Sequence, residues 1–230
     1  MGFPKTGTSS LHKLFNDLGV CSSHWDVSPE EVGDAKKQKY VAKAIYENYM
    51  SSLRVFEGFT ITKAIAQADV CLPADGLNLW PQFDDAIRAK IIDQYPSIKL
   101  ILLKRDPRKL VSSIKRWSDM FFRFVVSDIP GLPAWRGLKD EELLAWIEGH
   151  YFSIENQYSD LSNFISFDLN QADSFERFLE FSGLKNDAQA AGIKVWPMVN
   201  AGEDPSSNRF EYDSSTFWLA KDFSAEVKIK

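Results

Sequence analysis

The sequence predicts an α/β fold: a central parallel β-sheet with helices on both faces, three layers in all. Three observations predict it. Short apolar runs alternate with segments of helical period, the pattern of strands joined by crossover helices. The run Ile98–Leu103 is almost continuously apolar, as a strand covered on both faces should be. The chain also opens on a turn rich in Gly, Thr and Ser that leads straight into a helical period.

The elements follow in order. Leu11, Leu14, Phe15 and Leu18 fall at i, i+3, i+4 and i+7, one face of a helix, and Gly19 is its natural stop. Residues 20–25 read as a short strand. Ser28-Pro29-Glu30-Glu31 has the form of a capping box with proline at the first helical position, so a long charged helix is predicted to about Tyr49. A buried strand is predicted over 68–72, ended by Pro73, and a helix over 82–95, closed by Pro96. After the strand at 98–103, Asp106-Pro107 caps a helix carrying Leu110, Ile114 and Trp117. Residues 128–136 read as a loop. Asp140 opens a helix with Leu143, Leu144 and Ile147 on one side. A strand over 164–167 and a helix over 174–182, stopped by Gly183, complete the pattern. Residues 193–230 show no period and are expected to be irregular. One domain over 1–230 is predicted, with no internal repeat. Only Met1-Gly2-Phe3 precede the opening turn, where a buried strand is expected, so that first strand is expected to be truncated.

Composition removes several classes of function. The 230 residues are 44% hydrophobic, enough for one substantial core. The net charge of −5 gives no overall basic footprint for nucleic acid, so a polyanionic ligand needs a local basic patch. Cys21 and Cys71 form no disulfide framework and have no metal-ligand spacing, and no metal site is predicted. No apolar run reaches the roughly eighteen residues of a membrane span, and no signal peptide is visible. A cytoplasmic location is the expectation.

The opening turn carries the first chemistry. Gly2 and Gly7 allow a tight backbone path close to a ligand. Unpaired N–H groups at a helix start make an anion site, and Thr6, Thr8, Ser9 and Ser10 add hydroxyls. Lys5 adds a positive charge. A nucleoside-triphosphatase loop places lysine directly after its second glycine. Here Thr8 stands in that position, and Lys5 lies two residues before Gly7. Pro4-Lys5-Thr6-Gly7-Thr8-Ser9-Ser10-Leu11 resembles the 5′-phosphosulfate loop of the sulfotransferases.

The second constellation follows the most apolar strand. Arg105 stands at its carboxyl edge, where ligands bind in open α/β sheets, and a guanidinium grips phosphate with two N–H donors. Ser113 lies about two helical turns further on. Arg105-Asp106-Pro107 with Ser113 is similar to the 3′-phosphate site of the sulfotransferases. The stretch from Cys71 through Tyr95-Pro96 to Pro107, and more weakly Trp196-Pro197-Met198-Val199-Asn200, is similar to a bacterial-type branch of small sulfotransferases. The glycine-rich C-terminal motif of the cytosolic steroid and phenol enzymes is absent, and Ser10 stands where their adenine-stacking tryptophan would be.

The resemblance implies a P-loop-like three-layer fold. It also implies transfer of a sulfuryl group from 3′-phosphoadenosine-5′-phosphosulfate (PAPS) to a hydroxyl or amine. Pro4 to Ser10, Arg105 and Ser113 would then bind the nucleotide, and Lys5 would stabilise the bridging oxygen. For the general base, Asp75 ranks first, because it follows a short strand and matches an Ala-Asp segment of similar enzymes; its bland reading is a turn near Gly76. His24 ranks second. His12 reads as a surface residue and His150 as structural. The acceptor is open among carbohydrate, lipid headgroup, peptide and small alcohol. Two other readings stand beside this one: a P-loop nucleotide kinase or triphosphatase, and a non-catalytic nucleotide-binding remnant.

Overall fold

In the computed structural model, residues 1–117 and 119–199 are described. The end of the predicted irregular segment, including Asn200, lies outside them. Six strands occur among the described residues: β1 (Ser22–His24), β2 (Ala64–Gln67), β3 (Val70–Leu72), β4 (Leu77–Leu79), β5 (Leu100–Lys104) and β6 (Phe164–Asp168). The helices are α1 (Thr8–Asp17), α2 (Val41–Met50), α3 (Asp85–Gln94), α4 (Pro107–Arg116), α5 (Met120–Val126), α6 (Asp140–Tyr158), α7 (Ser174–Ser182) and α8 (Lys185–Ala190). Mixed α/β character is therefore as predicted.

The single central sheet is not observed. β1 pairs with β2 in parallel, and β5 pairs with β6 in parallel, but the two pairs are separate. A cavity of about 1150 Å³ lies between them, lined by Ala64 and Ala66 on one side, Ile101 and Leu103 on the other, and Leu11 and Phe15 of α1. Without a ladder across that space the strands remain two ribbons. Met1 to Phe3 run beside β5. The Met1 amino group donates to the Ile101 carbonyl, and Phe3 is fully buried. Gly2 is required at this approach, since a Cβ there would meet the Leu103 carbonyl oxygen at 2.3 Å. β3 and β4 form a separate antiparallel hairpin.

Strand register brings chemistry together. Ser22 lies opposite Ala64, Ser23 opposite Ile65 and His24 opposite Gln67, so β1 and β2 end at the same level. Lys104 lies opposite Asp168, so β5 and β6 also end together. The core beside β5 is built from Leu102, Leu110, Ile114, Phe124, Leu143 and Ile147, around Trp80 and Trp146. A second cluster joins Leu11, Leu14 and Phe15 of α1 to Phe167, Phe175 and Phe178.

Several local expectations give way to tertiary contacts. The long helix predicted from Ser28 does not form: residues 34–38 make a short 3₁₀ helix, and α2 starts only at Val41. Glu31 turns inward instead and is 0% exposed. It accepts from the N–H groups of Val32, Gly33, Thr60 and Thr62 and from the Thr60 hydroxyl. Burial alone would push this carboxyl up, but the donors from Thr60, Thr62 and Gly33 hold it well below the usual carboxylate range. Satisfying four backbone donors at once outweighs one capping interaction. Of the strand predicted over 68–72, only Val70–Leu72 forms, as β3; β2 ends before it, at Gln67. The helix predicted over 82–95 starts at Asp85, where Asp84 caps it by accepting from Ala86 and Ile87. α7 matches its predicted bounds.

Candidate active site

The opening turn sits at the carboxyl ends of both strand pairs. Gly7 has φ +107° and N-caps α1. Any other residue here is strained, and a Cβ would lie 2.2 Å from Leu169 Cδ1, just past β6. Lys5 also has positive φ, at +69°. The Thr6 hydroxyl donates to the Phe3 carbonyl at 2.7 Å and braces the turn. Leu11 N–H is the first in α1 to find an intrahelical acceptor, the Gly7 carbonyl. The N–H groups of Thr8, Ser9 and Ser10 find none among the described residues. The turn therefore presents an anion site of backbone donors. Pro4, Thr6, Thr8 and Ser10 are buried around it, and Ser9 is half-buried.

Arg105 is tied to this turn. Its Nη1 donates to the Lys5 carbonyl at 2.9 Å, and the Tyr151 hydroxyl accepts from its backbone N–H at 3.2 Å. Arg105 forms no ion pair with the adjacent Asp106, which caps α4 by accepting from Lys109 N–H. Burial and the Arg105 charge together bring the Lys5 ammonium down to about 8. That ammonium lies 3.0 Å from the centre of the Trp117 ring, a cation–π contact. The sequence placed Trp117 on the helix with Leu110 and Ile114; its role as the lysine's partner had no local signal. Two nearby lysines are paired, Lys104 with Glu155 and Lys115 with Asp140, whereas Arg108, Lys109 and Arg116 of α4 form no ion pair among the described residues. Lys5 and Arg105 make no salt bridge among the described residues. Ser113 lies inside α4, 9% exposed, with no hydrogen bond to Arg105.

The other side of the turn is a chain of hydrogen bonds that runs from His24 to a buried carboxylate, Asp69. His24 Nε2 lies 3.0 Å from Thr8 Oγ1, and the Thr8 hydroxyl donates to Gln67 Oε1 at 2.9 Å. Gln67 Nε2 donates to Asp69 Oδ2 at 3.0 Å, and Gln82 Nε2 donates to Asp69 Oδ1 at 2.9 Å. Burial, and then the neighbouring His12 ring, brings His24 down to about 4, so it is neutral at pH 7. His12 is not on the surface as expected: it is half-buried, its ring 5.4 Å from that of His24. His150 has the structural role expected of it, donating to the Met1 carbonyl at 2.8 Å and packing on Phe3 and Phe83. Asp75 is not brought to the turn. It is exposed in the 3₁₀ turn at the tip of the β3–β4 hairpin, beside Gly76 with φ +69°. Cys21 and Cys71 are free.

Fold and site together define an α/β protein whose opening turn offers backbone donors to an anion, flanked by two unneutralised cations. The family model described as "Sulfotransferase domain" matches residues 1–166, and the chain belongs to that family. Membership makes it a transferase of sulfuryl groups. No curated protein matches the chain. Among the described residues, no helix is long and apolar enough to cross a membrane.

Proposed function

We propose that this protein moves a sulfuryl group from PAPS to a hydroxyl or amine acceptor. The observation that carries the reading is the 2.9 Å contact of the Arg105 guanidinium with the Lys5 carbonyl, which sets two free cations beside the unpaired N–H groups of one turn. A doubly phosphorylated nucleotide needs that arrangement: one phosphate on the turn and one on the arginine. Such a donor supplies the sulfuryl group and a phosphate leaving group.

The residues divide the work. The N–H groups of Gly7, Thr8, Ser9 and Ser10, with the Ser9 hydroxyl, hold the 5′-phosphate. The Thr8 hydroxyl is committed to Gln67, so Thr8 contributes through its backbone. Lys5 stabilises the negative charge that grows on the bridging oxygen, where a preorganised donor is worth about 3 kcal/mol. Its lowered pKa, near 8, fits a lysine that can also give up a proton. Arg105 holds the 3′-phosphate, joined by the Ser113 hydroxyl. His24 takes the acceptor's proton, because it is neutral and bonded to the turn, whereas Asp75 is exposed and remote in its contacts.

Calorimetric titration with adenosine-3′,5′-bisphosphate and with ATP–Mg tests the reading. Binding of the bisphosphate in preference to ATP–Mg is expected. Preference for the triphosphate would return the kinase reading, and binding of neither would leave the remnant reading.

A further inference from the structure

Asp69 is a buried carboxylate with no part in the scheme above. It follows β2 by two residues and is 5% exposed. It forms no salt bridge among the described residues, and its side-chain partners are the amides of Gln67 and Gln82. Burial lifts it to about 6, so at pH 7.5 it is ionised and can only accept hydrogen bonds.

That restriction sets the direction of every bond that follows. Gln67 must turn its NH₂ toward Asp69; the reverse would face a carbonyl oxygen with a carboxylate. Gln67 Oε1 therefore points away, where it accepts from Thr8. A hydroxyl has one proton to give, and Thr8 gives it to Gln67. Toward His24 Nε2, at 3.0 Å, Thr8 Oγ1 can then only accept. The proton on that contact must belong to His24 Nε2. Nδ1 is left with a bare lone pair, and no group among the described residues bonds to it.

We propose that Asp69 and Gln67 are positioning residues that hold His24 as the Nε2–H tautomer, leaving Nδ1 as the proton acceptor of this site. The assignment of a catalytic task to Nδ1 rests on the sulfuryl-transfer reading; the tautomer itself does not. In that reaction the proton passes from the acceptor O–H or N–H to Nδ1. The acceptor atom bonds to sulfur, and the electron pair of the broken S–O bond stays with the departing phosphate. The imidazolium keeps its Nε2–H on Thr8, so no proton moves along the chain of hydrogen bonds.

The test is two-bond ¹⁵N–¹H correlation NMR of the whole chain at pH 7.5, with the three histidines assigned by single His→Gln variants. His24 is expected to show the Nε2–H pattern. Asp69→Asn gives Gln67 a neighbour able to donate, and Gln67→Leu removes the link to Thr8. In each, Nδ1–H signals should appear for His24, and kcat should fall on the order of tenfold at unchanged KM for the donor. An Nδ1–H pattern in the native protein overturns the inference before any variant is made. So does a folded Asp69→Asn or Gln67→Leu protein in which the tautomer is unchanged. If the native tautomer is as stated but neither bisphosphate binding nor transfer is found, the positioning network stands and the transfer reading falls.

Discussion

The two walls beside the opening turn handle charge in opposite ways. The β5–α4 wall sets two cations that form no ion pair among the described residues, Lys5 and Arg105, at the turn, while pairing Lys104 and Lys115 with carboxylates. β1 and β2 themselves carry no lysine or arginine. Their wall orders a neutral imidazole, a hydroxyl and an amide on one buried carboxylate. One wall acts by field strength, which salt screens and which needs little angular precision. The other acts by the direction of hydrogen bonds, which salt does not touch. Under the proposed reading, the difference lets a chain of net charge −5 serve a polyanion, because the positive charge is local to the turn.

Breaking the cationic wall should cost most. Lys5→Ala is expected to lower the transfer rate about a hundred- to a thousandfold while changing bisphosphate affinity little, as steady-state kinetics beside calorimetry would reveal. Acid should instead act on two buried imidazoles, His24 on the polar wall and His150 against Phe3. His24 and His150 are each held near 4, so the folded state binds fewer protons than the unfolded chain between about pH 6.5 and 4. Their stabilisation is complete above pH 6.5 and is lost as pH falls toward 4. Asp69, raised to about 6, works in the opposite sense and recovers part of it. Together these three groups should cost about 3 kcal/mol between pH 7 and pH 4, read as a lower urea midpoint at pH 4. An unchanged midpoint would mean the histidines are not buried neutral.

His24→Gln should reduce transfer about a hundredfold with bisphosphate affinity intact. A parallel loss of affinity would show that the polar wall also binds the nucleotide. Arg105→Ala should weaken the bisphosphate about tenfold or more, with the gap narrowing as salt rises. A gap that is indifferent to salt would remove the field argument. The smallest effect is expected for Asp75→Asn, under about threefold in rate, within the ordinary range of an exposed surface change. A large loss there would move the proton acceptor from β1 to the β3–β4 hairpin.

How much of this was legible in the chain depends on distance along it. The turn, the apolar strand before Arg105 and the Asp106-Pro107 cap are all local patterns; turn and cap appear where they were read, and the strand, read over 98–103, forms as Leu100–Lys104. Asp106 caps α4, as its place before Pro107 required. Glu31 shows how a local signal loses: its capping pattern is sound, but backbone donors about thirty residues away offered more bonds. Gln67 and Asp69 escaped notice because Gln and Asp near a strand end carry no period of their own. Their roles exist only because register sets Gln67 opposite His24.

By itself, the order of residues determined the family, the opening turn with its helix start and the order of most strands and helices. These depend on spacings of a few residues, which backbone geometry converts directly into helix starts and strand ends. Tertiary structure alone decided that β1–β2 and β5–β6 stay separate ribbons about a cavity, that Trp117 receives the Lys5 ammonium, and that His24 rather than Asp75 meets the turn. Each of those outcomes is a contact between segments far apart in the chain, and such contacts are settled by packing and register, which no local period encodes.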